Sequence, residues 1–187
     1  MSGAALLIAA WIFLGAELGL KDSLALGSLH IAPSFMYCLL TFVAMFTPRP
    51  RPTWTAIFLG LLMDLTFRVP LGDGLGTATI IGPYALSYVL SVQLITALRG
   101  VVIKRNPLTM GFLAMLGSIV CSVVLMGIYS IRLAFGDSIS FGTPPSQELL
   151  ARVGSAAYTG VLGSLIALAL FPLAPLMGMQ VQQRKGR

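Results

Sequence analysis

Asp64 and Arg68 stand four residues apart in GLLMDLTFRVPLGDGLG, residues 60–76, a stretch otherwise dominated by apolar residues and glycine. On a helix such i,i+4 neighbours share one face, and acid before base is the better order. A charged side chain in hydrocarbon costs about 2.5–3.5 kcal/mol on insertion scales, so it is expected to face a bundle interior, a partner or a cavity. The chemistry open to this pair is mutual neutralisation, because two charges that hold each other make a poor general acid and base unless a substrate frees one. Gly60 extends the same stripe by one turn and lets another backbone approach closely. Glu17, one turn from the end of the first apolar run, is expected to pair with Arg68 or Arg132.

Catalysis requires a positioned acid, base, nucleophile or metal. Asp64, Arg68 and Glu17 are the only convergent polar residues, so no catalytic residue is expected. His30 is the single histidine, no C-x-x-C pair occurs, and Cys38 and Cys121 both lie in apolar runs. A zinc site would need three or four clustered ligands. No metal or cofactor is therefore expected, and the two thiols are assigned to packing, where free Cys behaves as a small hydrophobe.

The elements that must position these residues are membrane helices. Of 187 residues, 57% are hydrophobic and 10% charged, and mean hydropathy is +0.91, against about 25% charged in soluble domains. Crossing a bilayer core of ~30 Å takes about 20 helical residues. Six segments qualify, at 3–20, 29–47, 54–69, 75–98, 107–135 and 149–177, forming a single all-α membrane domain over 1–187. The first begins without a basic leader region, so Met1 onward is taken as mature chain.

Lys and Arg divide unevenly among the connections. Arg49, Arg51, Arg99, Lys104, Arg105, Arg184, Lys185 and Arg187 fall on one side, against Lys21, Arg68, Arg132 and Arg152 on the other. The positive-inside rule then puts both termini in the cytoplasm. The six acids, Glu17, Asp22, Asp64, Asp73, Asp137 and Glu148, fall toward the outer face. The basic pI of about 9.8 arises from this cytoplasmic fringe and lacks the interleaved aromatics of a nucleic-acid face. Anionic membrane lipid is the expected contact, and nucleic acid is not.

Residues 54–69 amount to only about 24 Å of helix, which predicts a short third span ended by Pro70. Gly72, Gly74 and Gly76 around Asp73 predict a tight turn into the fourth span. Gly82-Pro83 predicts a kink inside that fourth span. In the sixth span Ala156, Gly160, Ser164 and Leu168 share a stripe, flanked by Ser155, Thr159, Gly163 and Ala167. Such small-residue faces support close helix packing, either within the bundle or with a partner. Thr47 to Pro52, TPRPRP, predicts a stiff turn that fixes the separation of the second and third spans.

Gly60, Asp64, Pro70, Leu71 and Gly72 resemble the G-x-x-x-D-x-x-x-x-x-P-L-G segment of the rod-shape-determining membrane protein family MreD. Length, six spans and short loops are similar across the whole chain, while Arg68 and Asp73-Gly74 depart from that pattern. The resemblance implies a non-enzymatic subunit of the bacterial inner membrane. Such a subunit binds the single-span coiled-coil protein MreC and links cytoplasmic MreB to wall-synthesis enzymes in cell-shape maintenance. It also implies a bundle similar to the substrate-binding subunits of energy-coupling-factor transporters. A vitamin or small-solute binder is thus the competing expectation, with Tyr84, Tyr88, Ser87, Gln93, Trp11 and Tyr37 as candidate pocket residues and Ala5-x-x-x-Ala9 as the contact for an energising subunit. The outer cavity discriminates, being filled in a scaffold and ~300–1,000 Å³ in a solute binder.

The charge asymmetry predicts that a cysteine introduced as Arg51→Cys is protected in intact spheroplasts from a membrane-impermeant thiol reagent and labelled after permeabilisation. Labelling before permeabilisation would reverse the topology.

Overall fold

The computed structural model describes residues 3–27, 30–48, 50–70, 76–102, 106–135 and 145–175. Six helices occur among them: α1 (Gly3–Leu20), α2 (Phe35–Phe46), α3 (Arg51–Thr66), α4 (Pro83–Leu98), α5 (Pro107–Ala134) and α6 (Pro145–Leu173). A two-residue antiparallel pair, β1 (Val69–Pro70) with β2 (Thr77–Ala78), closes the α3–α4 connection, and a Leu26–Ile31 bridge does the same between α1 and α2. Three helical stretches, α1, α5 and Gln147–Leu173 of α6, are long and apolar enough to cross a membrane.

The core forms around α2. All of its residues from Phe35 to Met45 are buried, and it packs against every other helix. At twelve residues it is only about 18 Å long, so its burial depends on the longer helices around it. The expected second and fourth spans start too early: helix begins at Phe35 rather than 29, and at Pro83 rather than 75. Gly82-Pro83 accordingly starts α4 instead of kinking it. Proline suits the first helical position, where no N–H is needed, and it disfavours helix in the residue before it. Gly82 takes φ of 120°, a conformation glycine tolerates.

The third helix also shifts, running from Arg51 to Thr66 and ending four residues before Pro70, because Phe67 turns the chain to extended geometry toward β1. At its other end the exit from α2 is held by Arg99, whose Nη1 donates to the Ala44 carbonyl at 2.7 Å and to that of Thr47. A guanidinium on the last carbonyls of α2 suits the negative end of the helix dipole.

Helices α5 and α6 make the most extensive contact in the fold. A Cβ on Gly111 would collide with the Ser164 hydroxyl and the Gly160 carbonyl, and one on Gly160 would lie 2.9 Å from Met115 Cβ. Gly163 approaches Ala114 Cβ and Cys38 Sγ. The stripe of Ala156, Gly160 and Ser164 therefore lies in packing within the chain, while Leu168 on the same stripe is exposed.

Gly111→Ala is expected to cost about 1–3 kcal/mol through overpacking, lowering the midpoint of thermal unfolding in detergent. Gly127→Ala, where an added Cβ meets nothing within 4 Å, should match wild type or gain up to about 1 kcal/mol of helix propensity. Equal midpoints for the two variants would refute the close crossing.

Candidate functional site

Asp64 is 1% exposed and spends both carboxylate oxygens on the start of α4. Its Oδ2 accepts from the amides of Gly82 at 2.9 Å and Ala85 at 3.2 Å, and Oδ1 from Tyr84 at 2.9 Å. Pro83 has no N–H, and Leu86 begins the helical ladder by donating to Gly82. One carboxylate thus satisfies every amide from 82 to 85 that the helix itself leaves without a partner. Its charge also meets the positive end of the α4 dipole. One turn earlier Gly60 lies so close to Ala85 that a Cβ would strike its backbone. The two residues act together: Gly60 brings the first turn of α4 against α3, and Asp64 locks it there.

The expected Asp64–Arg68 ion pair does not form among the described residues. Helix α3 ends at Thr66, so Arg68 lies beyond the helical register that would bring it to Asp64, and it is exposed. Pro70 is in β1, opposite Thr77. Of the predicted Gly-rich turn from Pro70 to Gly76, residues 71–75, Gly72 among them, lie outside the described residues, and Gly76 takes φ of 148°.

Glu17 repeats the device on the previous pair of helices. Its Oε2 accepts from the amides of Phe35 at 2.6 Å and Met36 at 3.2 Å and from the Ser34 hydroxyl at 3.3 Å. Ser34 Oγ in turn accepts from the Tyr37 amide. The expected partners Arg68 and Arg132 are replaced by Lys21, whose Nζ is 3.5 Å from Oε1 and 4.2 Å from the centre of the Phe67 ring. Both acids reach the amide 18 residues ahead of them, so a helix, a short bridged connection and a capped second helix occur twice.

Between these caps and α5 and α6 lies a cavity of about 330 Å³ to which all six helices contribute. Two acid–base pairs are among its lining residues, Glu17–Lys21 and Glu148–Arg152, the second joined at 2.8 and 2.9 Å. His30, at φ of 48°, also lines it. The wall is aromatic on one side, where the rings of Tyr37 and Tyr88 meet edge to face at 5.4 Å and those of Tyr84 and Tyr88 at 6.2 Å. On the other side it carries Ser118 and Ser122 of α5 and Ser155 and Thr159 of α6. Ser155 Oγ and Thr159 Oγ1 accept from the amides of Ala32 and Ser34, tying the α1–α2 connection to α6.

Of the pocket residues named from sequence, Tyr37, Tyr84 and Tyr88 line this cavity. Gln93 instead donates to Thr53, Ser87 is buried against the Pro83 carbonyl, and Trp11 is 75% exposed. The rim pairs were missed although Glu17–Lys21 and Glu148–Arg152 carry the same i,i+4 signal that drew attention to residues 64 and 68. No group of three or more His, Cys, Asp or Glu side chains is placed to hold a metal among the described residues. Compared with known proteins, the chain matches no family, no curated protein and no solved structure.

Asp64→Ala should cost at least about 2 kcal/mol, the upper range for a lost helix cap. Arg68→Leu should stay within about 0.5 kcal/mol of wild type. The double variant should then match Asp64→Ala in unfolding midpoint. Rescue of Asp64→Ala by Arg68→Leu would instead restore the coupled pair.

Proposed function

We propose that the chain is a six-helix, N-in/C-in subunit of the bacterial inner membrane that acts as a non-enzymatic scaffold of the MreD kind, holding MreC within the elongation machinery for cell-shape maintenance and peptidoglycan synthesis. The observation that carries this reading is the use made of the G-x-x-x-D residues. Gly60 and Asp64 are committed to joining α4 to α3, and both oxygens of Asp64 are engaged on backbone amides. A motif that fixes one helix on another belongs to a shaped surface rather than a reaction centre. Leu65, 60% exposed, and Arg68 border that joint and offer a surface for a partner's membrane-proximal segment. The Lys/Arg-rich end is proposed to meet anionic lipid and, directly or through MreC, MreB filaments.

One observation favours a second reading, a substrate-binding subunit for a vitamin or other small solute. The cavity of about 330 Å³ falls at the lower edge of the ~300–1,000 Å³ typical of small-molecule sites, where a pure scaffold would be filled.

Co-purification decides between them. Arg68→Glu is expected to reduce recovery of MreC on the tagged chain by at least about tenfold, corresponding to ~1.4 kcal/mol, with folded yield unchanged. Undiminished recovery together with saturable vitamin binding by the isolated protein would establish the second reading instead.

A further inference from the structure

The end of the bundle away from the caps carries a second pocket, of about 240 Å³, between the start of α1, the end of α2 and the start of α3. Helices α1 and α3 both pack on α2 but make no extensive contact with each other, which leaves the gap. Val43 and Thr47 of α2 are buried beneath it, and the Thr47 hydroxyl is spent on the Val43 carbonyl. Leu6 lines the gap from α1, and the exposed rings of Trp54 and Phe58 line it from α3. The lining is predominantly apolar.

Arg51 is the one charged residue that lines the pocket. It is exposed, and its side chain makes no ion pair or hydrogen bond among the described residues. The position is electrostatically unfavourable for a cation, because Arg51 opens α3 and the dipole of a helix is positive at its start. Gly3 opens α1 at the same pocket, and neither helix has an acid in its first turn. Arg99, donating to the Thr47 carbonyl, brings a second guanidinium to this end. No counter-charge comes from the surrounding chain: residues 1–16 and 23–63, from which every lining residue is drawn, contain no Asp or Glu. An anion at the mouth would be favoured by Arg51 and by both helix starts.

The pocket limits what can carry that anion. One turn of a partner helix, 5.4 Å long and ~10 Å across, takes up roughly 400 Å³, which is too large. A small free anion would leave the apolar lining uncovered. An acyl chain ending in an anionic headgroup matches both halves, and Trp favours the boundary where they meet.

We propose that this pocket holds one anionic phospholipid, with a length of acyl chain against Leu6, Val43 and Phe58 and the phosphate on Arg51 beside Trp54. The proposal rests on the inner-membrane reading and adds a defined lipid site to it.

The test uses the full chain with Trp11→Phe, which leaves Trp54 as the only tryptophan, reconstituted in phosphatidylcholine vesicles. Phosphatidylglycerol or phosphatidylcholine brominated on an acyl chain, where bromine quenches a tryptophan in contact with it, then replaces the plain lipid in steps. Quenching of Trp54 is expected to saturate at low mole fraction of phosphatidylglycerol and to rise only in proportion to the mole fraction of phosphatidylcholine. Arg51→Gln should weaken the saturable component about 5-fold, as for one basic residue at a membrane surface, and Arg51→Lys should retain most of it. Gly3→Leu puts a side chain at the pocket mouth, where an added Cβ meets nothing within 4 Å, and should remove the saturable component. Identical curves for the two lipids, with the chain floating with the vesicles, would overturn the site and keep the membrane reading. Saturable quenching unchanged in Arg51→Gln or in Gly3→Leu would likewise overturn it. A chain that does not float with the vesicles would overturn both.

Discussion

A helix that starts inside an apolar bundle leaves its first amides without partners, and an unpaired buried N–H costs about 1–3 kcal/mol. This chain starts two helices under that constraint and solves it both times with a carboxylate from the preceding helix. Glu17 closes the first turn of α2 and Asp64 that of α4. Each buried charge is stabilised by the amides it satisfies and by the helix dipole. Charge and orphan donors thus remove one another's penalty. Neither works alone: the acid without the helix start would be an isolated charge in apolar surroundings, and the helix start without the acid would be a set of bare donors.

From these caps follows the shape of the bundle. Because α2 and α4 can begin well inside the chain segments expected to span a membrane, they are short, and the connections before them fold back as bridged turns. Short inner helices surrounded by longer ones leave space at the capped end. That space is the cavity, floored by tyrosines at the starts of α2 and α4 and walled by α5 and α6. At the opposite end α5 and α6 meet at Gly111 and Gly160, and Arg99 ties α4 to the end of α2. The capped end is open and polar, whereas the opposite end holds a smaller, apolar pocket of about 240 Å³ among the start of α1, the end of α2 and the start of α3.

That polarity has a functional meaning under either reading. A scaffold presents the rim and the outer end of α3 to a partner, while a solute binder uses the same rim as a selective mouth. In both, Glu17 has two tasks, holding α2 in place with one oxygen and pairing with Lys21 through the other.

The sequence by itself determined the all-helical make-up and the order of the six helices. Six apolar runs mark six helices, three of them long and apolar enough to cross a membrane, and α1 and α5 fall almost where those runs place them. It also singled out Gly60 and Asp64 as unusual, because a small residue and a charge one turn apart in an apolar helix need a reason. What the reason was, only the tertiary structure decided. Asp64 has its nearest sequence counter-charge at Arg68, yet its partners are amides 18 to 21 residues away, and backbone donors carry no residue type by which a sequence can announce them. The starts of α2 and α4 were misplaced for the same cause: an apolar run shows that a segment can be buried, whereas the first helical residue depends on which group from another helix is there to cap it. Glu17–Lys21 and Glu148–Arg152 were legible as neighbours, but that they share one cavity is a product of how α1 and α6 are brought together around α2.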